Sequence, residues 1–106
     1  IGKKDNIINS GGIKIQIEEV EERLRPYLDR PYAITAAPDP RLGEAVVLLL
    51  ASNLRGEMLT EVLASLPKYL RPRHIIKVSE IPQTGSGKID RAACRELARN
   101  IITKTL

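Results

Sequence analysis

Seven apolar residues in a row, Ala45-Val46-Val47-Leu48-Leu49-Leu50-Ala51, run through the middle of the chain with no polar residue among them. A strand with one wet face alternates apolar and polar side chains, so this unalternated run predicts a strand covered on both sides. It falls far short of the ~20 residues a membrane-crossing helix requires, so no membrane span is expected. Phe and Trp are missing and only three Tyr occur, so whatever packs on the sheet must be aliphatic.

The flanking sequence supplies the cover. Two short strands, Asn6 to Asn9 and Ile13 to Ile15, are joined across Ser10-Gly11-Gly12 and predict a hairpin. From Ile17 the spacing turns helical, with Ile17, Val20, Leu24 and Tyr27 or Leu28 on one face, and Pro26 and Pro31 limit the far end. Glu18, Glu19, Glu21 and Glu22 fall mostly on the other face, where Glu19 reaches Arg23 and Glu21 reaches Arg25 at i,i+4. Tyr32 to Ala37 reads as a strand and Pro38-Asp39-Pro40 as a turn into the apolar run. Glu57 to Leu66 is helical through Met58, Val62 and Leu66 until Pro67 stops it. Arg73 to Ser79 is the next strand, and Arg91 to Ile101 a last helix with Ala93, Leu97 and Ile101 on one stripe and Asp90 as its cap. The order β-β-α-β-β-α-β-α predicts one α+β domain over residues 1–106: a small, mostly antiparallel sheet with an N-terminal β-hairpin, packed by two or three helices.

A formal charge of +4 suits an anionic partner, whether nucleic acid, nucleotide or an acidic protein surface. The single cysteine, Cys94, cannot form an internal disulfide, and no secretory leader pattern is seen, so a reducing, cytoplasmic setting is expected. His74 has no Cys, Asp or Glu at ligand spacing, so no metal site is expected. With no Ser-His-Asp arrangement and no carboxylate dyad, these residues do not make a self-contained hydrolase.

Chemistry concentrates in Pro82-Gln83-Thr84-Gly85-Ser86-Gly87-Lys88-Ile89-Asp90-Arg91. Glycines on either side of Ser86 let the backbone approach another molecule closely and predict a flexible loop rich in donors, with Lys88 held just ahead of a helix start. The string lacks the spacing and the Gly-Lys-Ser/Thr ending of a P-loop. It closely resembles the C-terminal signature of the acyl-adenylate-forming superfamily, Pro-x-Thr-x-x-Gly-Lys followed by a basic helix opening; Pro82, Thr84, Gly87, Lys88 and Arg91 match. Gly2-Lys3-Lys4-Asp5, then Ser10-Gly11-Gly12, then Glu19-Val20-Glu21 resembles a second signature of that superfamily, with Lys3 where relatives carry arginine. A lysine there keeps the charge and loses the planar fork. Pro38-Asp39-Pro40-Arg41-Leu42-Gly43-Glu44 resembles a third, the Pro-Asp-x-x-x-Gly-Glu turn between two strands.

The resemblance implies the small C-terminal lid domain of an enzyme whose large N-terminal adenylation domain lies outside this chain; Ile1 in place of Met leads us to expect a piece of a longer polypeptide. It implies Lys88 as the catalytic cation of adenylation, with Thr84, Gly85, Ser86 and Gly87 as its signature loop. It further implies Asp5 as the hinge, Lys3 as a nucleotide contact, and Ser10, Gly11 and Gly12 as part of the CoA tunnel. The implied substrates are ATP with Mg2+, a carboxylic acid and CoA, used by the full-length enzyme, with none of them held by this portion alone. The stretch Lys4 to Ile15 looks most like CoA ligases, and among them like bacterial o-succinylbenzoate–CoA ligases of menaquinone synthesis; other acyl- or aryl-CoA synthetases remain open. The rival class is a small basic nucleic-acid-binding module built on Arg71, Arg73, Lys88, Arg91, Arg95 and Arg99. It lacks the interleaved aromatics of single-strand binders, so no nucleic-acid partner is expected.

Overall fold

The computed structural model describes residues 6–28, 30–51 and 56–105. Strand β4, Gly43–Leu50, contains most of the apolar run and is its organising element. It pairs antiparallel along its whole length with β3, Tyr32–Asp39. Its other edge is shared: the hairpin strand β1, Ile7–Ser10, meets it at Ser10 opposite Gly43, and β5, His74–Lys77, runs parallel to its second half. Strand β2, Ile13–Gln16, completes the hairpin and a five-stranded sheet.

The absence of alternation in β4 has the expected cause. Val46, Leu48 and Leu50 point to one side, into a cluster with Ile8, Ile15, Ile34 and Ala36. Helix α1, Ile17–Leu24, covers that side with Ile17, Val20 and Leu24. Helix α2, Gly56–Ala64, adds Val62, and the turn after it adds Leu66 and Leu70. Val47 and Leu49 point to the opposite side, where α3, Arg91–Thr105, lays Cys94, Ala98 and Ile102 over Ala33 and Ala37. Small residues on both partners let that helix sit close to the sheet. The fold is therefore α+β, a mostly antiparallel sheet with two helices on one face and one on the other among the described residues.

Three details differ from the sequence reading, and one open alternative is resolved. The buried stripe of α3 is Cys94, Ala98 and Ile102, one position on from Ala93, Leu97 and Ile101. Adjacent apolar pairs at 93/94, 97/98 and 101/102 give two overlapping stripes, between which spacing alone does not choose. Of the two alternatives, Leu28 closes the α1 face, because Arg25–Tyr27 tighten into a 3-10 turn that leaves Tyr27 exposed. Strand β3 continues through Pro38 and Asp39, paired with Glu44 and Gly43. Glu21 does not pair with Arg25, which bonds Glu22 instead; Glu21 turns inward to Arg91, as described below. Glu19 does meet Arg23, at 3.6 Å.

Candidate functional site

The predicted signature loop is a short, closed hairpin. Asp90 N–H donates to the Pro82 carbonyl at 2.9 Å, Gln83 and Ile89 form a bridge, and Thr84 N–H donates to the Lys88 carbonyl at 2.7 Å. Gly87 N–H closes a turn onto the Thr84 carbonyl at 3.0 Å, and Gly87 itself has φ +84°. A turn ending on a left-handed residue is the G1-bulge way of closing a hairpin, and it explains the glycine at 87. Thr84 Oγ1 and Ser86 Oγ lie 3.0 Å apart across the tip. The loop read as flexible thus has a defined backbone path. Its outer surface stays open: a Cβ added at Gly85 or Gly87 would meet nothing within 4 Å.

Lys88 is exposed, and among the described residues its ammonium has neither hydrogen bond nor ion pair. The backbone around it is fixed by contrast. Ile81 is buried below the loop, and Asp90 caps α3, its Oδ1 accepting Ala93 N–H at 3.0 Å while its carbonyl accepts Cys94 N–H at 3.0 Å. The Lys88 side chain thus extends outward from a hydrogen-bonded root.

The glycine turn is the second feature. Gly11 at φ +59° and Gly12 at +86° form the two-residue connection between Ser10 and Ile13, both left-handed as a type I′ turn demands. Gly11 N–H donates to the Leu42 carbonyl at 2.9 Å, tying the hairpin tip to the turn that Asp39 organises. The Asp39 carboxylate accepts Leu42 N–H at 2.9 Å and Arg41 N–H at 2.8 Å, and these bonds hold its pKa below the usual carboxylate value. Beside the glycine turn lies a groove of about 650 Å³ lined by Ser10, Gly11, Ile13, Tyr69, Arg71 and Arg73, with Lys68 at its margin. Tyr69 and Ile13 are 52 % and 45 % exposed there, unusual for large apolar side chains. The groove lining includes no residue of the Lys88 loop. Lys3 and Asp5 lie outside the described residues.

Two part-buried ion pairs link these features to α3, and neither is marked in the sequence. Arg91 grips Glu21 through two parallel bonds of 2.7 Å, and Glu21 Oε2 also accepts Ile34 N–H from the open edge of β3 at 2.9 Å. One helical turn on, Arg95 gives one N–H to Glu44 at 2.6 Å and another to the Ile7 carbonyl at 2.7 Å. The other Glu44 oxygen accepts Asn9 N–H at 2.9 Å. The only sequence hint was that each carboxylate sits inside one of the superfamily-like motifs.

Comparison with known proteins gives the decisive observation: the family profile described as AMP-binding enzyme C-terminal domain matches residues 30–88, more than half of the chain and through Lys88. The chain belongs to that family. It is 33% identical over 104 residues to triostin synthetase I of Streptomyces triostinicus, covering 92% of this chain and 20% of that protein. It is 33% identical over 91 residues to the 2-succinylbenzoate–CoA ligase of Lactococcus lactis, covering 84% of this chain and 20% of that one. Among solved structures, the acyl-CoA synthetase of Brucella canis superposes with a TM-score of 0.75 at 32% identity, over 100% of this chain and 21% of that one. The chain therefore spans about a fifth of the length of the relatives it matches. Of the six basic residues on which a nucleic-acid-binding reading would rest, Arg91 and Arg95 are engaged by Glu21 and Glu44. No helix among the described residues is long and apolar enough to cross a membrane.

Proposed function

We propose that this domain is the mobile C-terminal lid of an ATP-dependent acid–CoA ligase, working against a larger adenylation domain of the same polypeptide. The observation that carries the reading is the exposed Lys88 ammonium, unpartnered among the described residues, on a hairpin closed by the Thr84–Lys88, Gly87–Thr84 and Asp90–Pro82 backbone bonds. In the first half-reaction a substrate carboxylate attacks the α-phosphorus of ATP, forming acyl-adenylate and releasing pyrophosphate. Two anions meet in that step, so a positioned cation is needed where negative charge gathers. At 4 Å a charge pair is worth ~1 kcal/mol in bulk water and ~4 kcal/mol at an effective dielectric of about 20, so Lys88 acts when the lid excludes water.

In the second half-reaction the CoA sulfur attacks the acyl carbonyl and AMP leaves. The bare backbone of Gly11 and Gly12 suits passage of a slender pantetheine arm, with Ser10 beside it. The adjoining groove supports the same reading: Lys68, Arg71 and Arg73 offer charge to a polyphosphate, and the exposed Tyr69 ring offers a face to a base. Since the lysine loop takes no part in that groove, use of both in turn calls for rotation of the domain. In this proposal Asp5 is the hinge and Lys3 a nucleotide contact. Among the described residues no group of three His, Cys, Asp or Glu side chains is placed to hold a metal, and no step is assigned here to the Mg2+ that would accompany ATP.

Of the acids, 2-succinylbenzoate is the one we favour, on the resemblance of residues 4–15 to ligases of that kind and on the Lactococcus relative. The test uses the full-length enzyme with 2-succinylbenzoate, acetate, 4-chlorobenzoate and trans-cinnamate. Pyrophosphate release should be fastest with the first. Lys88→Ala should lower adenylation ~10²–10³-fold and spare thioester formation from supplied acyl-adenylate and CoA. Equal loss of both half-reactions would refute the assignment of Lys88, and no pyrophosphate release with any acid would refute the ligase reading.

A further inference from the structure

Arg91 and Arg95 lie at i and i+4 on α3, so they leave the helix on one side, a turn apart. Each meets a carboxylate from a different part of the sheet-and-hairpin body, and each pair adjoins one of the two features to which the proposed function gives separate half-reactions. Arg91 follows directly on Asp90, whose N–H closes the lysine hairpin onto Pro82. Its bidentate grip on Glu21 fixes that root against α1 and, through Ile34 N–H, against the edge of β3. The side chains are only 18 % and 15 % exposed, so water competes poorly for them.

Arg95 holds the other feature. Strand β1 meets β4 at a single residue pair, Ser10 with Gly43, and the Gly11 N–H bond to the Leu42 carbonyl holds the tip, so backbone bonding does little to fix the rest of the hairpin that ends in Gly11 and Gly12. Glu44 and Arg95 supply the missing bracket, one binding Asn9 N–H and the other the Ile7 carbonyl while they bind each other. We propose that the two pairs are dedicated positioning devices, Glu21–Arg91 for the Lys88 loop in adenylation and Glu44–Arg95 for the glycine turn in thioester formation, with α3 as the common spine. This rests on the functional reading above and extends it to four residues that touch no reacting atom. A planar, two-pronged guanidinium fixes orientation as well as distance, which a lysine at either position would not.

The experiment measures both half-reactions of the full-length enzyme with 2-succinylbenzoate, or with whichever acid of the panel releases pyrophosphate fastest. Misplacement by an ångström costs on the order of 10²-fold. Glu21→Gln should therefore lower the kcat of adenylation by at least about 10-fold, with KM for ATP and acid within about twofold and the thioester step within about twofold. Glu44→Gln should do the reverse, slowing the thiol step at saturating CoA and leaving adenylation within about twofold. Where a Gln variant does not fold, Arg91→Lys or Arg95→Lys, which keeps the charge and loses the fork, takes its place with the same expectation. A merely structural contribution would lower the melting temperature and slow both steps together, and that result would overturn the proposal, as would no change in either step. Lys88→Ala is run in parallel. If it keeps adenylation, the functional reading itself fails; if it loses adenylation while Glu21→Gln does not, only the positioning proposal fails.

Discussion

The Asp90 carboxylate accepts the Ala93 amide at 3.0 Å, so α3 is capped two residues after Lys88. The same residue closes the lysine hairpin through its own N–H and covers one of the first-turn donors that a helix start leaves open. Asp90→Ala should destabilise the 106-residue chain by about 1 kcal/mol, and Asp90→Asn by less, since asparagine caps nearly as well. Urea unfolding followed by circular dichroism checks this. An Asp90→Ala variant with an unchanged midpoint would mean that the cap does not hold this helix.

The two signature-loop glycines should separate. Gly87 has φ +84°, where a side chain costs roughly 1–2 kcal/mol, whereas Gly85 has no such φ and an added methyl would meet open space. We expect Gly87→Ala to lower stability by about that amount and to slow adenylation by displacing Lys88. Gly85→Ala should leave stability unchanged or raise it by up to about 1 kcal/mol through the unfolded chain. If Gly85→Ala slows adenylation all the same, another molecule must approach the backbone at that point in the working enzyme.

Much of this was legible in the sequence because its strongest signals are local. The unalternated run Ala45 to Ala51 announced a strand with two covered faces, and Gly11-Gly12 announced a type I′ hairpin. Asp90 announced a helix start for a reason of hydrogen-bond geometry. What stayed hidden is long-range. Nothing near Glu21 marks it as the partner of Arg91, 70 positions away, and its helical neighbour Arg25 was the natural expectation. On α3 the residues Ala93, Cys94, Leu97 and Ala98 give two overlapping stripes, and only the closeness allowed by Ala33 and Ala37 selects Cys94 and Ala98. Arg71 and Arg73 stood out as charge, but their place beside the glycine turn depends on β5 lying parallel to β4, a pairing no local pattern records.

That placement makes the groove testable apart from the lysine. If Arg71 and Arg73 bind the phosphates of CoA, replacing either by Ala should raise KM for CoA by at least about 10-fold, about 1.4 kcal/mol, and leave pyrophosphate release from ATP and acid alone. The effect should shrink as salt rises, because exposed charges are screened. Arg71 Nε also donates to the Leu66 carbonyl at 2.9 Å, so Arg73→Ala is the cleaner of the two variants. An unchanged KM in Arg73→Ala would remove the groove from the CoA path.

Cys94 is fully buried under α3, and burial is the largest cause pushing its thiol up from 9.0 to about 11, with the Arg91 charge opposing and the Asp90 and Glu21 charges reinforcing. At neutral pH the thiolate fraction is therefore roughly one in ten thousand, and alkylation of the folded chain by iodoacetamide should be slow until it opens. The pH dependence has a definite sign. Between pH 9 and pH 11 the unfolded chain has lost a proton that the folded chain keeps, so this thiol's contribution is fully present below pH 9 and disappears as pH rises through about 11. The loss is at most about 1.4 kcal/mol for each pH unit in that window. Tyrosines and lysines titrate there too, so the measurement is a comparison: the stability of the parent should fall more steeply across the window than that of Cys94→Ala, whose stability starts lower from the lost sulfur packing. Parallel slopes would mean that the thiol keeps the same proton affinity folded and unfolded, and that its pocket beneath the helix admits water.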